Sequence, residues 1–169
     1  MTMKRFFIAI IAILFVGSMS SCDKEYSEFY SDNRPEIPVT FEGATTHGFN
    51  PYYIQKVSQN DITITMNIPT ASGKQIKEIS KALGGATSIN AGGVRTSTYL
   101  ATPVAGQGTK AVFKTSLTAF KAYSAANAKL INDFVAGAGT QLQIAFMFVV
   151  KLDDGQEIIP VPVQIWLQK

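Results

Sequence analysis

One histidine, one cysteine and scattered carboxylates are the side chains of this chain that could carry out catalysis. A serine-type nucleophile would need His47 as its base, and no Gly-x-Ser-x-Gly turn accompanies that residue. Glycoside hydrolysis requires two facing carboxyl groups. No spacing selects a pair from the candidates Glu42, Asp61, Glu78, Asp133, Asp153, Asp154 and Glu157. The sequence therefore predicts no catalytic residue and a protein that is not an enzyme, with turnover through His47 as the alternative that an assay could revive.

Metal and cofactor sites also lack their usual ligands. A zinc site draws on several Cys and His residues, and this chain offers only Cys22 and His47. Asp153, Asp154 and Glu157 could give oxygen ligands to calcium, but they are too few by themselves, and a hairpin turn explains them. No glycine-rich phosphate motif is complete. We expect no metal and no cofactor.

Aromatic side chains are the better candidates for a binding site. Phe49, Tyr52 and Tyr53 lie in a stretch with Asn50 and Pro51 that predicts a turn-rich loop, and Trp166 points away from the apolar side of the last strand. These four residues predict contact with a ligand, by stacking on a sugar or packing on a partner. Two structural alternatives remain: the tyrosines close one end of a sandwich, or Trp166 covers a second sheet face or lies under a helix.

The charge of the chain argues against nucleic acid. The formal net charge is +3, but Lys4 and Arg5 precede an apolar run that cleavage would remove, which leaves 13 basic and 12 acidic residues. Neutralising a phosphate backbone requires a dense stripe of Lys and Arg. We therefore expect no nucleic-acid partner.

The first 22 residues have the layout of a secretory signal. Lys4 and Arg5 form the positive region, and eleven apolar residues, Phe6 to Val16, follow them before a short polar stretch. An apolar helix of that length spans about 16 Å, about half of the hydrocarbon core, so a transmembrane helix is the weaker interpretation, and a buried helix at an ordinary N-terminus is the other alternative. Cys22 stands at the expected cleavage point after Ser20 and Ser21, and the segment resembles a bacterial lipobox. The resemblance implies a signal peptide over residues 1–21 and lipid attachment at Cys22.

Residues 22–38 predict an extended tether between that anchor and the domain. The stretch is rich in Glu, Asp and Pro and has too little apolar surface to offset its conformational entropy. Its aromatic residues Tyr26, Phe29 and Tyr30 either are loose or dock on the domain, on a partner or at the membrane interface. The acidic cluster Asp23-Lys24-Glu25 after the cysteine resembles a surface-display signal of Bacteroidetes lipoproteins. In proteobacteria, Asp directly after the lipidated cysteine would instead suggest retention in the inner membrane; later residues favour the surface.

Residues 39–169 predict a single domain with β-strands and one amphipathic helix. A period of two runs through Ile62 to Ile68 and through Leu142 to Leu152, and Ile158 to Leu167 completes a C-terminal hairpin through an Asp-Asp-Gly turn. Pro160 and Pro162 lack amide protons, so we expect the last strand at or near a sheet margin.

The middle of the domain gives weaker signals. Gln75 to Leu83 permits strand or helix, with Gly84-Gly85 as its boundary, and Ala111 to Thr115 predicts a short strand. Leu117 to Ala136 has helical spacing, with a break near Ser124 left open, and ends at Gly137. Such a helix would cover one end or edge of a sandwich.

The C-terminal hairpin resembles the last hairpin of immunoglobulin-like or fibronectin-III-like domains in Bacteroidetes surface lipoproteins. The residues that carry this resemblance are Leu142 to Gly155 and the proline-containing strand after them. The resemblance implies a mainly β, immunoglobulin-like β-sandwich with one inserted helix. It also implies an outer-membrane protein facing the cell exterior, beside a Sus-like uptake system with a TonB-dependent transporter and its lipoproteins. The ligand would be a glycan or a peptide, and a structural or adhesive fimbrial accessory protein is the alternative.

Overall fold

The computed structural model describes residues 35–169, so the predicted signal peptide, Cys22 and the tether up to residue 34 lie outside the described residues. The folded unit spans Ile37–Lys169. Its strands are β1 (Thr40–Phe41), β2 (Thr45–His47), β3 (Asn50–Lys56), β4 (Asp61–Asn67), β5 (Ile76–Ala86), β6 (Val104–Ala105), β7 (Lys110–Ser116), β8 (Gln141–Leu152), β9 (Glu157–Ile158) and β10 (Val163–Gln168). Its α-helices are α1 (Ala91–Thr96), α2 (Leu117–Tyr123) and α3 (Ala125–Ala136), and one 3-10 turn spans Thr70–Ser72.

The strands form two sheets. The small sheet has the order β1-β4-β7 and is antiparallel throughout. The large sheet has the order β2-β3-β10-β8-β5-β6, and β9 pairs with β8 beside β10. Within the large sheet, β3 and β10 run parallel and the other neighbours are antiparallel. The domain is therefore mainly β, as the sequence predicts.

One hydrophobic core joins the two sheets. The alternation predicted for β4 is confirmed, since Ile62, Ile64 and Met66 are buried while the residues between them are not. Phe113 of β7 meets Phe148 of β8 with ring centroids 5.0 Å apart. Ile37 also belongs to this core, two residues before the predicted start of the domain at residue 39. The buried sides of the two sheets thus face each other.

The helical spacing predicted over Leu117 to Ala136 is confirmed, and the chain forms two helices there. Ser124 ends α2 and caps α3, because its side chain accepts a hydrogen bond from the N–H of Asn127. Phe120, Ile131 and Phe134 lie in the core, with Phe120 and Phe146 ring centroids 5.7 Å apart. The side chain of Asn127 donates to the carbonyls of Gly84 and Phe120. These contacts attach the helix pair to β5.

Helix α1 was not predicted, and it covers half of the outer side of the large sheet. It begins at Asn90, whose side chain accepts a hydrogen bond from the N–H of Gly93, and it contacts β5 and β8. Val94 packs there against Met147 and Val149 of β8. We call this region the covered half; its members are Leu83, Ile89, Val94, Met147, Val149 and Ile159. Strand β8 is consequently buried on both sides along this part.

Gly84-Gly85 does not end an element, contrary to the prediction. Strand β5 runs through both glycines and pairs them with Phe146 and Ala145. A Cβ atom on Gly84 would lie 2.8 Å from the ring of Phe146 and 3.1 Å from those of Phe120 and Tyr99. The absence of a side chain is what allows three aromatic rings to approach the strand.

The last strand is not at a sheet margin. Strand β10 lies between β3 and β8 and is paired on both sides. Pro160 and Pro162 occupy the gap between β9 and β10, where no ladder forms, so their missing amide protons cost no pairing. Within residues 35–169, none of the helices has both the length and the apolar character that a membrane crossing requires.

Candidate binding face

A β-hairpin replaces the loop predicted around Phe49. Strands β2 and β3 pair from Thr45 opposite Tyr52 to His47 opposite Asn50. Gly48 takes the first turn position with φ +62°, which suits the first residue of a type II′ turn. Phe49 follows at the tip and is 93% exposed. Because β3 is a strand, Tyr52 and Tyr53 point to opposite sides of the sheet.

The alternation of β10 sets which side chains point outward. Val163, Ile165 and Leu167 are buried in the core, so Gln164 and Trp166 between them lie on the outer side, as the sequence predicts for Trp166. Paired residues of neighbouring strands share a side of the sheet. The register places Tyr52 beside Gln164 and places Ile54 and Gln143 beside Trp166. The outer side of these strands therefore combines aromatic, apolar and amide groups.

Two aromatic rings contact the indole of Trp166. Tyr52 stacks on the indole with centroids 4.0 Å apart and planes 16° apart. His47 meets the indole edge-on at 5.4 Å. The indole N–H donates to the side-chain oxygen of Gln164 at 2.8 Å. These contacts fix the orientation of the indole, and Tyr52 and Trp166 both remain partly exposed.

We call this outer surface of β2, β3, β10 and the first part of β8 the aromatic face. Its outward residues are Thr45, His47, Asn50, Tyr52, Ile54, Lys56, Gln141, Gln143, Gln164, Trp166 and Gln168. Helix α1 packs against β5 and the later part of β8 instead. Ile54 is 59% exposed. An exposed apolar and aromatic surface on a sheet is typical of a binding site.

Two of the four predicted contact residues come together and two do not. Tyr52 and Trp166 form the stack, whereas Phe49 stands apart at the hairpin tip. Tyr53 packs at the margin of the core and donates to the carbonyl of Glu42 at 2.7 Å. Burial raises the pKa of the Tyr53 phenol, with a smaller contribution from the Glu42 carboxylate. Tyr53 therefore supports the end of the sandwich, which was the structural alternative.

Sequence reasoning missed His47, Ile54 and the glutamines as members of this face. The available signal was the Gly48 turn, because reading His47 to Asn50 as a two-residue hairpin turn puts His47 on the same side as Tyr52. The parallel pairing of β3 with β10 had no signal in the sequence. Only that pairing brings residues 52 and 54 beside Trp166.

Asp153, Asp154 and Glu42 are not among the residues of the aromatic face. Asp153 and Asp154 sit in the turn after β8, where Asp154 pairs with Lys74 at 2.8 Å, and this contact lowers the pKa of Asp154. Glu42 pairs with Lys110 at 2.7 Å beside the small sheet, which lowers the Glu42 pKa in the same way. Within residues 35–169, no three His, Cys, Asp or Glu side chains cluster as metal ligands would.

An open groove lies between α2 and β7. This open groove of about 360 Å³ is lined by Tyr99, Tyr123, Lys114 and their neighbours. The hydroxyls here are already bonded within the protein, since Tyr99 contacts Thr115 at 2.8 Å and Tyr123 contacts Ser97 at 3.2 Å. Burial raises the Tyr99 pKa. Because these hydroxyl groups are used within the protein, the groove offers few free polar groups to a ligand. The aromatic face is therefore the stronger candidate for a binding site.

Comparisons of the chain with protein-family models, with curated proteins and with solved structures found no match.

Proposed function

We propose that this protein is a non-enzymatic, lipid-anchored binding or accessory subunit that handles nutrients at the outer membrane, and that it binds through the aromatic face. The observation that carries the proposal is the Tyr52–Trp166 stack on a sheet surface that α1 leaves uncovered. Burying a ring releases more free energy than burying most other side chains, so leaving two rings partly exposed is costly without a ligand. A binding role accounts for that cost.

The strand order supports an immunoglobulin-like sandwich as the scaffold. In that fold, strands B and E neighbour each other in one sheet, and strands C, F and G lie together in the other. Here β4 and β7 fit B and E, while β5, β8 and β10 fit C, F and G. The helices α2 and α3 would occupy the E-to-F connection. Such sandwiches host many functions, so the binding role rests on the aromatic face and not on the fold.

The anchoring half of the proposal rests on the sequence before residue 35. Acylation at Cys22 would hold the protein at a membrane, since two or more acyl chains give stable attachment. Because Ile37 belongs to the core, a tether would run over the fourteen residues from Asp23 to Glu36 and would reach up to about 50 Å from the anchor. The partners would then be a TonB-dependent transporter and its lipoproteins, with the domain facing the cell exterior.

A structural or adhesive role is the second candidate, and the outer edge of β7 favours it. The backbone N–H of Leu117 donates to the carbonyl of Asn60, and the N–H of Ile68 donates to the carbonyl of Thr109. In an antiparallel pair, residues alternate between bonding to the partner strand and pointing away from it. In this register the N–H and C=O groups of Val112 point away from β4, toward the open edge of β7. A strand from another subunit could pair there. The lysine at position 114 on this short edge works against such pairing, as edge lysines commonly do. The binding role is therefore preferred.

The deciding experiment is a pull-down from membranes solubilised in detergent, with mass spectrometry of the bound proteins. We expect the native protein to recover transporter subunits and to bind a soluble glycan or peptide. Trp166→Ala and Tyr52→Ala should abolish the ligand binding, while Thr63→Ala on the outer side of the small sheet should not. Incorporation into a polymer without ligand binding would favour the structural role, and turnover lost in His47→Ala would favour an enzyme.

Intact-mass analysis of native material tests the anchor separately. We expect a protein that begins at Cys22 and carries the added mass of diacylglycerol and an acyl chain. A bare thiol with residues 1–21 still attached would contradict the anchoring proposal and would leave the binding face to be judged by the pull-down.

A further inference from the structure

We infer that the ligand of the aromatic face is an uncharged carbohydrate chain. The inference rests on the proposed binding function and names the ligand class for the same surface. It follows from three properties of this face: the charge of its side chains, the state of its backbone groups and the hydrogen bonds its amides have left to make.

The face is nearly free of charge. None of its outward positions carries a carboxylate, and Lys56 at the end of β3 is the one Lys or Arg among them. The outer side of the small sheet, by contrast, carries Asp61, Lys110 and Lys114. A polyanion would find no cationic cluster on the aromatic face, and a cationic ligand would find no carboxylate. The charge pattern favours a neutral ligand.

In the middle of the face, the backbone offers nothing to a peptide strand. Strand β10 is paired with β3 on one side and with β8 on the other, so its N–H and C=O groups are used in the sheet. Sheets recognise extended peptides mainly at open edges, where backbone groups are unpaired. The open edge of the face belongs to β2, which is only three residues long, so recognition in the middle of the face has to use side chains.

The amides provide the groups that sugar hydroxyls need. Gln164 accepts a hydrogen bond from Trp166 through its side-chain oxygen, and this leaves its NH₂ group for a ligand. Gln143 and Gln141 on β8 form no side-chain hydrogen bond with any residue of the described part of the chain. A primary amide both donates and accepts, as a hydroxyl does, so one glutamine can satisfy a sugar hydroxyl in either direction.

The rings provide the apolar contact. The C–H side of a sugar ring packs on an aromatic ring, and the Tyr52–Trp166 stack is already held in one orientation by His47 and Gln164. A fixed ring loses little conformational entropy on binding. The face extends over four strands, from β2 to β8, which is about 14 Å at the spacing of a sheet. A surface of this shape suits a chain of sugars better than a single one.

Affinity electrophoresis and fluorescence titration test the inference on the full-length chain in a polyoxyethylene detergent, which has no sugar headgroup. The probes are the neutral polysaccharides amylopectin, xyloglucan, galactomannan, yeast mannan and arabinan, with polygalacturonate as the charged polysaccharide and a casein digest as the peptide source. Trp166 is the only tryptophan, so its emission reports from the face itself. We expect at least one neutral polysaccharide to retard the protein and shift this emission, and neither polygalacturonate nor the peptides to do so.

Three variants locate the site. Gln143→Leu removes an amide group and keeps both aromatic rings, and we expect it to weaken binding at least tenfold. Trp166→Ala should abolish binding in the electrophoresis, while Gln107→Leu, outside the face, should leave it unchanged. If none of the neutral polysaccharides binds, or if Gln143→Leu binds as the wild type does, the inference is wrong. Peptide binding lost in Trp166→Ala would also overturn it but would keep the proposed function, whereas a Trp166→Ala protein that retains every ligand and partner would overturn both.

Discussion

The two halves of the outer side of the large sheet have different chemistry although one strand, β8, runs through both. Met147 and Val149 are buried beneath α1 in the covered half. Gln141 and Gln143 occupy equivalent outward positions of the same strand, four or more residues earlier, on the aromatic face. Aliphatic residues appear where a helix covers the sheet, and amides beside rings appear where nothing in residues 35–169 does. The aromatic face is therefore not an unfinished part of the core, since its composition suits contact with water and with a polar ligand.

The largest effect should come from placing the same charge in each half. Met147→Asp would bury a carboxylate among apolar groups, and we expect it to lower the free energy of unfolding by about 3 kcal/mol or more. Gln143→Asp, on the same side of the same strand, should change it by no more than about 0.5 kcal/mol. Urea unfolding followed by far-ultraviolet circular dichroism measures both. Similar losses in the two variants would mean that the aromatic face is covered like the other half.

The close approach of β5 to its neighbours should give the next largest effects. A Cβ on Gly84 would meet three aromatic rings of the core, so Gly84→Ala should cost about 1–3 kcal/mol. A Cβ on Gly85 would lie 2.8 Å from a methyl group of Ile89 in the covered half and 4.0 Å from the side-chain oxygen of Asn127. Ile89 is half-buried in the loop before α1 and can shift more easily than three rings of the core, so the second variant should lose less. Thermal unfolding of both variants checks which one loses more stability. A larger loss of stability for Gly85→Ala would show that the covered half is as tightly packed as the core.

The strands with strict alternation could be predicted from the sequence, and the reason is physical. In β4 and β10, every second residue enters one core, so the period of two is visible without knowledge of the partner strands. The helices α2 and α3 could be predicted for the same reason, with Ser124 as a local capping signal.

Features that depend on distant contacts could not be predicted. Gly84 was interpreted as part of a boundary because nothing nearby in the sequence indicates the three rings that approach it. The prolines before β10 suggested a sheet margin because the parallel partner β3 is about 110 residues away in the chain. Helix α1 begins with Ala91-Gly92-Gly93, which has low helix propensity, and its packing on β8 outweighs that cost. Most of the aromatic face was missed because tertiary pairing creates it.

A smaller effect should come from the stack itself. Because both rings are partly exposed, we expect Trp166→Ala and Tyr52→Ala each to lose less stability than Met147→Ala in the covered half, where about 2–5 kcal/mol is usual. A double-mutant cycle on Tyr52 and Trp166 should give a coupling energy of about 0.5–1.5 kcal/mol. Gln141→Ala combined with Trp166→Ala is the control pair and should be additive. A coupling energy near zero would mean that the two rings do not hold each other in solution.

The smallest effect should be electrostatic and should appear away from the aromatic face. Lys110 lowers the pKa of Glu42 chiefly through a side-chain hydrogen bond, so the folded state favours the ionised carboxylate. The stability from this pair is present above the ordinary glutamate pKa of about 4.3 and is lost as pH falls through the lower folded value. The difference in melting temperature between the wild type and Glu42→Gln should therefore shrink as the pH falls from about 6 to about 3. The difference between the wild type and Gln143→Leu should stay constant over about pH 5 to 3, because none of the outward residues of that face, within the described part of the chain, is a carboxylate. If the Gln143→Leu difference also varied over that range, a carboxylate would have to act on the aromatic face, and its neutrality, on which the choice of an uncharged ligand depends, would be lost.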